Sequence, residues 1–432
     1  MKIITILLLV FVVAFSTTNL KAQARERSAK YVAFNKAYHE TDSAKAVQFS
    51  QDFLNEYPIN QADPAKDKAE NIQYSRIYVI LITKTKQPID AKIKEYADRI
   101  TFLTAAELYY RQVYLMNSNK IMPAEKLVDR SNMLMKIFRA LRDNKPREYS
   151  SNTDEEWKKI FGQTYWRNLL AHVNILQKAH VNKPGLAESE EAFKYFGYTK
   201  ASLNEDRALL LNALGLKQEL NKALEESVRA NQATPAMLEL LRKAYTAKNG
   251  KQFDEYISSL KDGNDMAKLE KELSTSMIKK TMAEFTLLDA SGKKVSTKDW
   301  KGKTVVLDFF ASWCVPCKAA FPGMKLALNS FANDKDVIFY FIDTQEHTKN
   351  YKETVIKYLK DNDFPFHVLF DETGDADQTN RVAKMLGVSG IPRKFVLDRN
   401  GDIRFDMTGY YGSPTKLADE IKIMVNLAKK AE

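Results

Sequence analysis

Residues 305–318 read VVLDFFASWCVPCK, and this segment is the most informative about the fold of the C-terminal part of the chain. Thr304–Phe310 is a nearly continuous apolar run broken only by Asp308, which predicts a strand buried on both faces. Cys314 and Cys317 follow at the start of a helix predicted from about Pro316 to Asn329. They are the chain's only two cysteines, so a framework of structural disulfides is excluded.

Further strands and helices alternate on both sides of this stretch. Phe285–Leu288 with Lys294-Val295 and Lys394–Leu397 with Ile403–Asp406 predict two hairpins, each around a glycine-containing turn. The other predicted elements are a short helix through Trp300, strands at Val337–Ile342 and His367–Phe370, and helices at Asn350–Lys360, Asp377–Leu386 and Thr415–Lys429. Strands separated by helices imply a mostly parallel sheet that is covered on both faces, with an antiparallel edge.

The cysteine pair is placed for redox chemistry. A helix N-terminus presents free N–H groups and a positive dipole end, which favours the nucleophilic thiolate. We therefore expect Cys314 to be exposed and to attack, and Cys317, one turn further in, to be more buried and to resolve the mixed disulfide. An inert structural disulfide is an alternative. A metal site is another, but zinc needs three or four ligands, and neither His347 nor His367 stands at ligand spacing, so we expect no metal and no cofactor.

Asp308 is a second candidate catalytic residue. Burial in an apolar strand disfavours the ionised carboxylate, so its pKa should be raised. Such an acid near Cys317 can accept that thiol's proton when Cys317 attacks. The alternative is an acid that is hydrogen-bonded for structural reasons only.

These motifs resemble the TlpA/ResA-like exported thiol-disulfide oxidoreductases of the thioredoxin fold. The resemblance covers about residues 282–432 and rests on the 305–318 stretch, Phe321-Pro322 and Gly387–Pro392. It implies that Cys314 is the nucleophile and Cys317 the resolving thiol. It also implies that Pro392 follows a cis bond and faces the disulfide, with the Ile391 backbone and Trp313 forming the substrate groove.

The sequence departs from that family at three places. The family's glutamate three residues after the second cysteine is replaced by Ala320, and Asp308 stands where many members have a neutral residue. Arg393-Lys394 follow the proline instead of small polar residues, which predicts a more basic specificity face. Lys318 and Arg393 are also candidates for stabilising the thiolate by charge.

The N-terminus predicts export. Met1-Lys2 precedes a run from Ile3 to Phe15 that is apolar except for Thr5, which is shorter than the roughly 18 residues that span a membrane. Small residues at Ala22 and Ala24 predict signal-peptide cleavage after Ala24, with an uncleaved anchor as the alternative. We expect a periplasmic protein without stable membrane insertion after cleavage.

Residues 25–276 predict an all-α domain, a helical repeat or bundle that loosely resembles tetratricopeptide repeats. Only six of the 15 glycines lie in this part, and apolar residues recur there at helical spacing. Fifteen of the chain's 20 tyrosines also lie in this part, and we interpret them as core residues rather than as the lining of a binding groove. The predicted architecture is this helical domain followed by an α/β thioredoxin-like domain at 277–432.

Together these features predict a periplasmic dithiol-disulfide oxidoreductase that reduces client proteins with disulfides, the helical domain binding clients or partners. The resemblance implies a membrane electron donor of the DsbD/CcdA type. Two alternatives are a non-enzymatic adaptor built on the helical domain and a thiol peroxidase, although Ala311 stands where a peroxidase has threonine. A net charge of +11 over 432 residues is too dilute to predict nucleic-acid binding.

Overall fold

The computed structural model describes residues 29–58, 68–245, 250–261, 263–372 and 380–431. The predicted signal peptide, residues 1–24, lies outside them. The chain forms two compact units, with the boundary between Ala179 and His180. In the described part of the chain, no helix combines the length and the apolar character needed to cross a membrane.

The first unit is helical throughout its described residues. Its α-helices are α1 Ala29–Tyr38, α2 Ser43–Glu56, α3 Lys68–Thr83, α4 Ile89–Glu95, α5 Phe102–Tyr109, α6 Leu115–Ser118, α7 Val128–Asp143 and α8 Asp154–Lys178. A π-helical turn, Tyr110–Tyr114, joins α5 to α6. The longest helix, α8, begins with a capping box in which Thr153 and Glu156 satisfy each other's backbone N–H groups.

Aromatic side chains fill the core of this unit. Phe102 contacts the rings of Phe138 and Trp157 edge-on, with ring centroids 6.1 and 5.2 Å away. Tyr109 and Tyr165 are fully buried, as a core role requires, whereas Tyr31, Tyr110 and Tyr195 are exposed, so the interpretation as core residues holds for only some of the tyrosines.

The second unit combines helices with an eight-stranded sheet. Its first helices are α9 Asn182–Phe196, α10 Ala201–Ala213, α11 Lys217–Arg229, α12 Pro235–Ala244, α13 Gly250–Leu260 and α14 Gly263–Ser276. The strands are β1 Lys280–Thr281, β2 Thr286–Asp289, β3 Lys294–Ser296, β4 Thr304–Phe310, β5 Val337–Asp343, β6 Val368–Phe370, β7 Arg393–Leu397 and β8 Asp402–Thr408. The remaining α-helices are α15 Val315–Ser330, α16 Tyr351–Asp361, α17 Arg381–Leu386 and α18 Pro414–Lys430. The predicted fold class, a helical region followed by a thioredoxin-like α/β domain, is confirmed.

The strand order is β1-β8-β7-β4-β5-β6-β2-β3. Only β4 with β5 and β5 with β6 pair in parallel in the described sheet, and the other neighbouring strands are antiparallel. The prediction of a mostly parallel sheet is therefore wrong. The helices α15 and α16 return the chain for parallel strands, whereas β7 enters beside β4 from the opposite end and β2 adds antiparallel to β6.

Apolar side chains cover both faces of the sheet. On one face Val306 and Phe310 of β4 pack with Cys314, Cys317 and residues of α15, α16 and α18. On the other face Val305, Leu307 and Phe309 pack with α17 and with the β2–β3 hairpin. The alternation along β4 thus separates two cores, and the cysteines belong to only one of them.

Residues that follow two of the helices before the sheet are hydrogen-bonded to α18 and to its N-cap residue within the second unit. Asp419 accepts hydrogen bonds from Asn231 at 2.8 Å and from Lys261 at 2.6 Å. The hydroxyl of Ser413 donates to the carbonyl of Asn231 at 2.7 Å. The compact units thus divide the chain at a different point from the boundary expected near residue 276, and independent folding of 25–276 stays a prediction.

Candidate functional site

The two cysteines lie where β4 leads into α15. Cys314 is the N-cap residue of α15, and its Sγ accepts the backbone N–H of Cys317 at 3.2 Å. The two sulfurs form a disulfide, with the Cα atoms 5.3 Å apart. Pro316 is tolerated in the first turn because the N–H groups there have no intrahelical partner. Pro322 lies inside the same helix.

Both cysteines are buried in this oxidised form. Cys314 is 3% exposed and Cys317 is 1% exposed, so the expectation of an exposed Cys314 is wrong for the disulfide. The reason is packing, since both sulfurs lie in the apolar core with Phe310 and Phe321. The flanking side chains of Trp313 and Val315 are exposed instead.

Trp313 is held from the loop that follows β5. Its indole N–H donates to the carbonyl of Gln345 at 2.7 Å. Its ring stacks on His347 with the centroids 5.2 Å apart and the planes 19° apart. Sequence reasoning missed His347 as a residue of this site, because its partner Trp313 lies more than 30 residues away in the chain.

Glu346 holds the loop that carries the cysteines. Its carboxylate accepts hydrogen bonds from the backbone N–H of Ser312 and, at 2.8 Å, from the Ser312 hydroxyl. Both bonds are charge-assisted, which makes them stronger than neutral ones. Sequence reasoning missed this contact as well.

Two further carboxyl groups lie beneath this loop. Burial, and next the Glu346 charge, raise the pKa of Asp343 to about 9, so this acid is neutral at pH 7. Burial also raises the pKa of Asp371, whose oxygens accept the N–H groups of Val382 and Ala383 at 2.9 and 2.8 Å.

Among the residues placed in the structure, no group of three or more histidine, cysteine or acidic side chains is arranged to hold a metal ion.

The peptide bond between Ile391 and Pro392 is cis, as the sequence resemblance implied. Ile391 packs against the core that contains both cysteines. The carbonyl of Pro392 accepts the N–H of Gly409 at 2.8 Å, so the residue after β8 is tied to the proline.

Asp308 and Lys394 form a buried ion pair. The two residues lie directly opposite each other on the antiparallel strands β4 and β7, and Lys394 Nζ lies 3.2 Å from Asp308 Oδ1. Asp308 is completely buried and Lys394 is 1% exposed. Burial raises the pKa of Asp308, as predicted, and the Lys394 charge opposes that rise.

The residues after the proline do not form the more basic face that was expected. Lys394 points into the core, and Arg393 makes a two-pronged ion pair with Asp406 at 2.8 and 2.7 Å. That prediction is wrong because both cations are neutralised by neighbouring carboxylates. Lys318, the other candidate for thiolate stabilisation, has its Nζ 5.3 Å from the centre of the Tyr358 ring.

The C-terminal part is similar to known redox proteins. Residues 278–406 match the model of the AhpC/TSA family. The thiol-disulfide oxidoreductase ResA of Bacillus thuringiensis subsp. konkukian is 31% identical over 132 residues, which are 31% of this chain and 70% of that protein. The thioredoxin-like protein YneN of Bacillus subtilis is 30% identical over 140 residues, 32% of this chain and 75% of that protein.

Two further proteins are similar to about a third of this chain. The thiol:disulfide interchange protein DsbE of Pseudomonas fluorescens biotype C is 30% identical over 166 residues, 37% of this chain and 83% of that protein. A crystal structure of a thio-disulfide isomerase from Thermus thermophilus is 32% identical, with a TM-score of 0.26, covering 31% of this chain and 86% of that one.

Proposed function

Because the chain belongs to the thiol-disulfide oxidoreductases of the thioredoxin fold, we propose that it reduces disulfides of client proteins through Cys314 and Cys317. The observation that carries this proposal is the Cys314–Cys317 disulfide at the N-terminus of α15. Cys314 is the attacking thiol because, as the N-cap, it is the sulfur to which a helix N–H points.

The reaction begins with the reduced protein. The Cys314 thiolate attacks a client disulfide, forming a Cys314–client bond and releasing one client sulfur. Cys317 then loses its proton and attacks Cys314 Sγ, which closes the internal disulfide and releases the second client sulfur. The client gains two electrons and two protons, of which one replaces the proton lost by Cys317 and the other comes from solvent, because Cys314 reacts as the thiolate. The protein ends in the oxidised form.

The surroundings of the disulfide support a client groove. Trp313 is 47% exposed and Val315 is 42% exposed, which leaves apolar area next to the buried sulfurs. We assign substrate contact to Trp313, Ile391 and Pro392, with the Ile391 backbone pairing an extended client segment. Asp308 is assigned the role of proton acceptor for Cys317 in the resolving step.

The cycle requires a dithiol reductant to restore the two thiols. We infer a membrane electron donor of the DsbD/CcdA type, and a periplasmic location reached by cleavage after Ala24. Cell fractionation with N-terminal sequencing of the mature protein tests the location. A mature protein that begins at Met1 in the cytoplasm contradicts it.

Insulin reduction with dithiothreitol tests the activity. The wild type should accelerate precipitation of the insulin B chain, and Cys314→Ser should abolish that acceleration. Ser330→Ala is a control, since it removes an exposed hydroxyl at the far end of α15 and keeps both sulfurs and their loop. Equal activity of wild type and Cys314→Ser would favour the non-enzymatic adaptor.

A further inference from the structure

Lys394 is a buried lysine whose ammonium meets the proposed proton acceptor. It is 1% exposed, and its Nζ lies 3.2 Å from Asp308 Oδ1. Within the described structure neither carboxylate oxygen of Asp308 nor Lys394 Nζ makes a conventional hydrogen bond. The ion pair is therefore the main polar interaction that either side chain has.

The pair lies on the face of the sheet that carries the cysteines. Side chains alternate along a strand, so Asp308 shares a face with Val306 and Phe310, which pack in the core with Cys317. Lys394 shares a face with Val396, which belongs to that same core. Lys394 lies two residues after Pro392. The side chains of Asp308 and Lys394 therefore both lie on the face of the sheet that packs against the cysteines.

An isolated buried carboxyl group would fail as a proton acceptor. Burial favours its neutral form, which already holds a proton. An opposite charge within about 4–6 Å favours the ionised form and lowers the pKa by roughly 1–3 units. Lys394 is close enough to supply this effect to Asp308.

Other titratable groups face this pair from neighbouring elements. From α18, burial raises the pKa of Glu420, and the Lys394 charge lowers it. Lys416 lies 3.9 Å from Glu420 but is 44% exposed, and Asp419 is paired with Lys261. Burial raises the pKa of the tyrosines that pack against this core above their ordinary alkaline value: Tyr351, Tyr358 and Tyr410. On β5, Asp343 shares the cysteine-side face with Phe341 and is itself buried, with its pKa raised to about 9. Of these acids, Asp308 is the one that Lys394 Nζ approaches directly, at 3.2 Å.

We propose that Lys394 is a positioning residue for the resolving step, keeping the Asp308 carboxyl ionised so that it can take the proton of Cys317. This rests on the proposed function. In that step the Cys317 S–H bond breaks and its proton goes to Asp308. The sulfur pair Cys314–Cys317 forms, the Cys314–client bond breaks, and the client leaves with the bonding electrons. Lys394 neither donates nor accepts a proton.

Single-turnover kinetics across pH test this role. The reduced full-length protein is mixed with a disulfide-containing peptide, and decay of the Cys314–peptide mixed disulfide is followed by acid quenching and mass spectrometry. The decay rate of the mixed disulfide is plotted against pH. In Lys394→Met the midpoint of this profile should move up by about 1–3 pH units, so that resolution at pH 7 is roughly tenfold slower or more. Lys422→Met, which removes an exposed lysine from α18, should leave the profile unchanged. Identical profiles for Lys394→Met and wild type would overturn the proposal.

A double variant keeps the test decisive if Lys394→Met folds poorly. Removing one member of a buried ion pair leaves an uncompensated buried charge, and removing both charges avoids this cost, so Asp308→Asn with Lys394→Met should fold. Because Lys394 acts only through Asp308, this double variant should resolve at the same rate and with the same profile as Asp308→Asn. A further change beyond Asp308→Asn, or a wild-type profile in Asp308→Asn itself, would overturn the proposal.

A wrong function and a wrong positioning role give different experimental results. If the wild type forms no mixed disulfide through Cys314, the proposed function is wrong. If it forms and resolves that species normally while the Lys394 variants show no shift, the function stands and the positioning role is wrong.

Discussion

The Sγ of Cys314 accepts the backbone N–H of Cys317 at a distance of 3.2 Å. The same sulfur caps α15, where Pro316 has no N–H group and Cys317 supplies the N–H that reaches the sulfur. A charged sulfur gains more from this donor and from the positive end of the helix dipole than a neutral thiol does. The helix start therefore distinguishes two cysteines that are about equally buried in the disulfide.

This contact predicts different reactivities of the two thiols in the reduced protein. Cys314 should ionise below the reference value for cysteine of about 8.5, and Cys317 should ionise at higher pH. Alkylation at a series of pH values, with peptide mass spectrometry, measures each rate. Faster labelling of Cys317 than of Cys314 at pH 7 would reverse the assignment of nucleophile and resolving thiol.

Glu346 should keep the cysteine loop in place. Glu346→Ala removes the acceptor for both the N–H and the hydroxyl of Ser312, and a hydrogen bond to a charged group is worth about 1.5–3 kcal/mol. We expect faster amide hydrogen exchange in residues 311–314 and slower insulin reduction. Glu353→Ala, at an exposed position on α16, is the control and should change neither. Unchanged exchange in Glu346→Ala would show that the loop is held by other contacts.

Asp343 should make stability depend on pH. Its folded pKa is about 9, well above the unfolded value of about 3.9, so its stabilising effect is complete below pH 4 and is lost as the pH rises toward 9. Asp343→Asn should flatten this decline and raise the free energy of unfolding at pH 7 by roughly 1–3 kcal/mol. Urea denaturation between pH 4 and 9 measures it.

An exposed acid supplies the control for that experiment. Asp361 is 53% exposed and pairs with Lys357, so Asp361→Asn should leave the pH dependence as in the wild type. If the free energy of unfolding of Asp343→Asn declines with pH as steeply as that of the wild type, Asp343 is ionised in the folded protein.

The helices before the sheet should serve client choice rather than chemistry. We expect both His180–Glu432 and Met277–Glu432 to reduce insulin, because both retain the cysteines and Pro392. Met277–Glu432 should unfold at a lower temperature, since Asp419 and Ser413 lose their partners Asn231 and Lys261. The set of clients captured by each fragment, in the Cys317→Ala background, should be smaller than that of the full chain. Capture of the same clients by all three would leave these helices a structural role only.

Local patterns in the sequence were sufficient for most elements of the second unit. The buried run predicted β4 at Thr304–Phe310 without error, and α15 begins one residue before its predicted start at Pro316. These predictions succeeded because apolar runs and helix-start signals act over a few neighbouring residues. The helix predicted from Asp377 is described only as α17, Arg381–Leu386, and residues 377–379 lie outside the described part.

Long-range relationships were the source of the errors. Lys394 looks like a surface cation beside Arg393 in the sequence, and only the pairing of β7 with β4 turns it toward Asp308. The Glu346–Ser312 contact joins residues 34 positions apart, and no local pattern encodes it. Strand direction likewise depends on which strands become neighbours, so alternation of strands and helices could not predict the antiparallel majority of the described pairings.

Trapping with Cys317→Ala is the most direct test of whether Cys314 attacks client disulfides. Without the resolving thiol, the reduced protein should accumulate a mixed disulfide that joins Cys314 to a client cysteine, detectable by non-reducing electrophoresis and peptide mass spectrometry. The species should vanish on reduction and in the Cys314→Ser, Cys317→Ala double variant. Absence of any Cys314-linked client, with the protein reduced and correctly folded, would contradict a function in disulfide reduction.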